Sequence, residues 1–276
     1  MPRRARPTLA LACLASLTVL AGCAARRGSL PSGPGEPFAD ARTAYEQAVK
    51  DCRNVRTIRA TLGLSGRAGA TTLRGNVDAG FEAPDKIRLE GRHPLGRPVF
   101  ILVSSGPQTT LYMPRENRVL RNAGAADIVE ALVGLKLTPD DLRTLVSGCG
   151  FEVGEPTGGR RYGDLAAVTV GGTTSYLRQE QGQWRVVGAT AATAAPGATG
   201  ASAAPLSILY SAFASGRPTM VRLQAVGATP ADVTVRLSDV NINVTLEPDV
   251  FAVDVPAQAE PLTIEELRRA GPLGGA

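Results

Sequence analysis

Residues 58–64, Ile-Arg-Ala-Thr-Leu-Gly-Leu, and 73–82, Leu-Arg-Gly-Asn-Val-Asp-Ala-Gly-Phe-Glu, decide the fold class. In the first, Ile58, Ala60, Leu62 and Leu64 alternate with Arg59, Thr61 and Gly63. In the second, Leu73, Gly75, Val77, Ala79 and Phe81 alternate with Arg74, Asn76, Asp78, Gly80 and Glu82. Successive side chains of a strand point to opposite faces, so period-two alternation means one dry face and one wet face. Ile87 and Leu89, between Lys86, Arg88 and Glu90, continue the pattern. Alternating segments separated by turn residues predict antiparallel strands. Val99-Phe100-Ile101-Leu102-Val103 is apolar at every position and predicts a strand covered on both faces.

Outward from these strands the period changes. Ala41, Tyr45, Ala48, Val49 and Cys52 have the spacing of an amphipathic helix within Phe38–Val55. Ile128, Val129, Leu132 and Val133 repeat at helical spacing up to Gly134. Thr138-Pro139-Asp140-Asp141 is a helix start: a capping hydroxyl, proline at the first position, and acids on the positive end of the dipole. Leu142, Leu145 and Val146 form that helix's apolar stripe, and Gly148 stops it. Strands resume at 166–170, 174–177, 184–187, 206–213, 219–226, 233–237 and 240–246. Residues 189–205 are almost all Ala, Gly, Thr, Ser and Pro and are expected to form a low-complexity insertion. Thr263–Arg269 is expected to form a short terminal helix capped by Thr263, ahead of a disordered tail at 271–276.

The class is therefore α+β, dominated by one antiparallel sheet. An apolar sheet face with two central helices to cover it has two outcomes. It is either a filled core, or an incomplete barrel whose helices leave a hydrophobic cavity. In the second case Leu62, Leu64, Val77, Phe81, Ile87 and Leu89 share one concave face under residues 125–148.

The beginning of the chain concerns targeting. Arg3, Arg4 and Arg6 precede an apolar run from Leu9 to Leu20, which ends in Leu20-Ala21-Gly22-Cys23. A basic start, a short apolar stretch and small residues make a secretory signal. The run falls short of the roughly 20 apolar residues that a spanning helix needs. Leu-Ala-Gly-Cys resembles the lipobox of bacterial lipoproteins, which implies lipid on Cys23 and removal of residues 1–22. The formal charge of +5 then falls to +2, so the basicity belongs largely to the signal and gives no nucleic-acid footprint. By resemblance to proteobacterial sorting, Ala24 after the lipidated cysteine implies the outer membrane. Residues 23–37 lack periodicity, carry many helix breakers and read as a flexible tether to a single domain over 38–270.

Cys52 and Cys149 remain in the mature chain. An oxidising periplasm suits a disulfide between them; two buried free thiols are the alternative. One histidine and no C-x-x-C pair give no typical zinc site, and no cofactor motif is present.

The order of several elements over Cys52–Gly150 carries a family resemblance. A helix ends at Arg53-Asn54-Val55, and Pro84-Asp85-Lys86-Ile87-Arg88-Leu89 follows a Gly-rich strand. His93-Pro94-Leu95-Gly96 then leads into the apolar strand, and the helical section ends with Pro139-Asp140-Asp141-Leu142-Arg143-Thr144-Leu145-Val146-Ser147-Gly148. This order resembles the LolA/LolB-like superfamily of lipoprotein carriers and receptors, and Val250–Pro256 is similar to the closing strand of its domains. The resemblance implies a large antiparallel sheet curved into a half-open β-barrel, with helices over the concave face. It also implies a cavity for lipoprotein acyl chains, a LolA-like periplasmic carrier as partner, and delivery into the outer membrane. By the same resemblance Leu95, between Pro94 and Gly96, is an exposed membrane-insertion residue; folding back onto the sheet edge is its alternative. Three features depart from the family. The soluble carrier's Arg-Pro latch is Ala83-Pro84 here, residues 189–205 have no clear counterpart, and aromatic residues number only twelve.

No G-x-S-x-G elbow, P-loop or H-E-x-x-H is present, and His93 has no evident Ser or Cys partner. A non-catalytic envelope scaffold with a solid core is the competing function.

Overall fold

The computed structural model describes residues 30–31, 33–92, 98–151, 153–191, 205–226, 230–271 and 273. Cys23 and the loop of Pro94, Leu95 and Gly96 lie outside the described residues. A two-residue strand, β1 (Glu36–Pro37), precedes helix α1 (Ala41–Arg53). A meander follows: β2 (Thr57–Ala68), β3 (Thr71–Glu82), β4 (Lys86–Gly91), β5 (Phe100–Ser105), β6 (Gln108–Met113) and β7 (Arg118–Arg121). Helices α2 (Ala125–Val133) and α3 (Pro139–Ser147) cross over to a second meander. That one comprises β8 (Pro156–Tyr162), β9 (Leu165–Val170), β10 (Thr173–Glu180), β11 (Gln183–Ala191), β12 (Leu206–Ala214), β13 (Arg217–Ala225) and β14 (Ala231–Ile242). A 3-10 turn at Pro248–Phe251, strand β15 (Glu260–Pro261) and helix α4 (Ile264–Ala270) complete the described elements.

The 15 strands make one sheet in the order β1-β8-β9-β10-β11-β12-β13-β14-β2-β3-β4-β5-β6-β7-β15. The two meanders meet where β14 pairs antiparallel with β2, and the sheet stays open between β1 and β15. Register aligns the dry faces predicted by alternation. Leu62 lies opposite Leu237 on one side and Val77 on the other, and Phe81 lies between Ile58 and Ile87. Helix α1 lies over β8 to β11, α3 touches both β13 and β3, and α2 packs against α4. The curved sheet thus has its helices on one face, as expected.

Capping fixes where the helices start. The Thr138 hydroxyl accepts from Asp141 N–H at 3.1 Å, and the Asp141 carboxylate accepts from Thr138 N–H at 2.9 Å. With Pro139 at its first position and Gly148 in the left-handed region at φ 92°, α3 is closed at both ends. Thr263 and Glu266 form the same box at the start of α4.

Several expectations need correction. Strands β6, β7 and β8 are additional to the segments that alternation marks, because they are short or rich in polar residues. Segments 233–237 and 240–246 are not two strands: β14 runs through them to Ile242, with an irregularity between Ser238 and Asn241. Val250–Pro256 is not a closing strand, because the 3-10 turn ends there and packs on the outer face of β4 and β5. The insertion does not begin at 189: Ala189 is buried in β11, where small side chains suit close packing. Nor is the tether free to residue 37, since Glu36 and Pro37 pair with β8 and Tyr162 donates to Gly33 O at 2.9 Å. Within the expected tail, Leu273 is buried and its carbonyl accepts from Arg74 N–H at 2.9 Å.

Candidate functional site: an apolar chamber under the helices

The inward stripes of β2, β3, β4, β13 and β14 form the floor of a chamber. Its roof is α2 and α3, with Val129, Leu132, Leu142 and Leu145 pointing down and Leu135 and Leu137 closing the turn between the helices. Every lining side chain is apolar, and the cavity volume is about 70 Å³. Apolar cavities of this kind stay dry, and what they can take is hydrocarbon.

Of the six residues expected on the concave face, Leu62, Leu64, Val77 and Leu89 line the chamber. Phe81 and Ile87 do not. They are fully buried on the same face, paired with each other toward one end of the strands, and belong to solid core. Alternation assigns a residue to a face but not to a position along it. Leu223, Val233 and Val235 join the floor because β14 pairs with β2, a long-range pairing that alternation leaves open. Leu273 also lines the chamber, and no local pattern marks it.

The roof is held unequally. At the C-terminal end of α3, Cys149 is bonded to Cys52 at the end of α1, with Cα atoms 5.6 Å apart. The buried Tyr210 hydroxyl of β12 donates to Leu145 O at 2.8 Å and accepts from Gly150 N–H at 3.1 Å. Burial pushes the Tyr210 phenol well above its usual range, so it stays protonated and can keep donating. Arg143 donates to Val55 O at 2.6 Å. Helix α2, by contrast, leans on α4, whose Leu267 is fully buried and whose Arg268 lies 3.8 Å from Glu130 of α2. Helix α4 is itself docked by Arg118, which donates to Pro261 O at 2.7 Å and to Glu266 at 2.9 Å. The Thr263 N–H, then the Arg118 guanidinium and the Thr263 hydroxyl, hold the Glu266 carboxyl down at about 2.

A larger concavity of about 940 Å³ lies on the opposite face, between β2–β4 and residues 239–254. Arg59, Asp78, Arg92 and Asp254 among its walls make it charged and unsuited to hydrocarbon. Among the described residues no cluster of His, Cys, Asp and Glu could hold a metal, and no helix is long and apolar enough to cross a membrane.

No protein-family model and no curated protein matches the sequence. Solved structures do resemble the fold. One is a DUF1329 family protein from Desulfovibrio piger, 12% identical, with a TM-score of 0.51 over 79% of this chain and 98% of the other. Another is the LolA superfamily protein NE2245 from Nitrosomonas europaea, 10% identical, with a TM-score of 0.49 over 77% of this chain and 97% of the other. The likeness is one of fold: a curved open sheet with helices on its concave face.

Proposed function

We propose that the chain is a LolA-like, lipid-binding lipoprotein of the cell envelope, anchored through lipid on Cys23, that takes acyl chains between its sheet and the α2–α3 roof. The observation carrying this reading is the wholly apolar chamber between a curved sheet and a helical cover. Each methylene moved from water into such a site stabilises by roughly 0.8 kcal/mol, and orientation needs few polar groups. At about 70 Å³ the chamber is smaller than a long acyl chain, so binding requires the roof to lift. The finer reading is receptor-like. A LolA-like soluble carrier hands over a lipoprotein, and the Leu95 loop helps to pass it into the outer membrane on the periplasmic side.

The small volume favours a second reading, an envelope scaffold with a solid core. Native mass spectrometry of the chain released gently from its host membrane separates the two. Co-purifying lipid or lipoprotein is the expected result; a chain that never carries hydrocarbon, even after incubation with lipoprotein, belongs to the scaffold.

A further inference from the structure

We infer that the segment following α4 plugs the acyl site, with Leu273 occupying a subsite that an incoming acyl chain must take. The inference rests on the acyl-binding reading and says how that site is kept closed. Two independent features of the sheet and the C-terminal segment converge on it.

The first is a notch in the floor. Along the inward face of β3, Leu73 and Val77 are large and buried, but the residue between them is Gly75. The neighbour of Gly75 across the pair is Leu64, which lines the chamber. The missing side chain leaves room in an otherwise continuous apolar stripe, and Leu273 fills it. A Cβ placed on Gly75 would stand 3.3 Å from Leu273 Cδ2. The Leu273 carbonyl accepts from Arg74 N–H at 2.9 Å, so the backbone is pinned where the side chain enters.

The second is the connection to the roof. Only Gly271 and Pro272 separate Leu273 from the end of α4, and α4 is the element on which α2 leans. Helix α3, fixed by the disulfide and by Tyr210, has no such freedom. Withdrawing Leu273 therefore vacates a subsite on the floor and loosens the support of the movable half of the roof. Hydrocarbon seated against Gly75 would regain the apolar contacts that Leu273 gives up, so exchange of plug for ligand is balanced rather than uphill. A site occupied by its own chain binds ligand with an affinity reduced by the fraction of molecules in which it is open.

The test uses the purified full chain in detergent micelles with palmitate carrying a diazirine, at a concentration well below saturation. After illumination, labelled peptides are mapped by mass spectrometry. Leu273→Ala, and a chain ending at Ala270, should each raise labelling of the α2 and α3 peptides about tenfold over the natural chain. Adding Gly75→Leu to Leu273→Ala refills the notch from the floor and should reverse the gain, which general loosening of the fold would not do. Equal labelling of natural and variant chains under the helices would overturn the plug and leave acyl binding standing. If no chain is labelled there, Leu273→Ala included, acyl binding fails and the plug fails with it.

Discussion

The Tyr210 hydroxyl donates to the carbonyl of Leu145, 2.8 Å away, and accepts from Gly150 N–H, so one buried side chain of the sheet satisfies both sides of the α3 C-terminus. The Leu145 carbonyl also accepts from Gly148 N–H at 3.2 Å, so the buried group that relies on the Tyr210 hydroxyl is Gly150 N–H. Tyr210→Phe keeps the packing and removes both bonds. It is expected to destabilise the fold by about 1–3 kcal/mol, the usual cost of leaving a buried polar group unmet. Urea unfolding checks this; a loss below a few tenths would mean that water replaces the hydroxyl.

The Cys52–Cys149 bond closes a sequence separation of 97 residues and joins the ends of α1 and α3. In the chain-entropy model a loop of that length is stabilised by about 4–5 kcal/mol, less any enthalpic cost. Thiol alkylation of the unfolded, unreduced chain should find both cysteines blocked. Reduction, or Cys52→Ala with Cys149→Ala, should lower the melting temperature markedly.

Glu266 sets a pH dependence. Its carboxyl is held at about 2 when folded, mainly by Thr263 N–H and next by Arg118, against an ordinary value of 4.5. A depressed carboxylate contributes stability that is present in full above its unfolded pKa and is lost as pH falls through the folded value. The stability difference between the natural chain and Glu266→Gln should therefore be constant near neutrality and shrink between about pH 4.5 and pH 2. A difference that does not change across that window would show that the box acts through geometry alone.

Cys23 follows Leu20-Ala21-Gly22 and a basic, apolar leader. Metabolic labelling with a fatty acid should mark the natural chain and not Cys23→Ser. Equal labelling of both would remove the anchor from the proposed function.

Leu95, between Pro94 and Gly96 in sequence, lies outside the described residues. If it delivers cargo to a bilayer, a carboxylate there opposes entry, since burying an ionised group costs several kcal/mol. Leu95→Glu should fold, accept acylated peptide from a donor, and transfer it to liposomes at least several-fold more slowly. Unchanged transfer would end the insertion role of Leu95.

Much of this protein is legible one segment at a time. Period-two alternation reports which face of β2, β3 and β4 is dry, because pleat geometry makes that a local property. Thr138-Pro139-Asp140-Asp141 and Thr263 mark helix starts, because capping is completed within four residues. Even the cysteine pair could be suspected, since few thiols remain to be matched. The sequence by itself therefore determined an α+β chain with one large sheet, a dry face and helices to cover it; the sheet is antiparallel except where the two-residue β15 lies parallel to β7. What the tertiary structure alone decided is where along that face space is left. Leu62 and Phe81 have the same alternation, yet one lines the chamber and the other is solid core. That difference depends on β14 returning to pair with β2 across more than 160 residues, and on which helix lies above. Leu273, in a segment without periodicity, became part of the site for the same reason. A glycine on β3 is complementary to a leucine almost 200 residues away, and complementarity between distant surfaces leaves no local pattern.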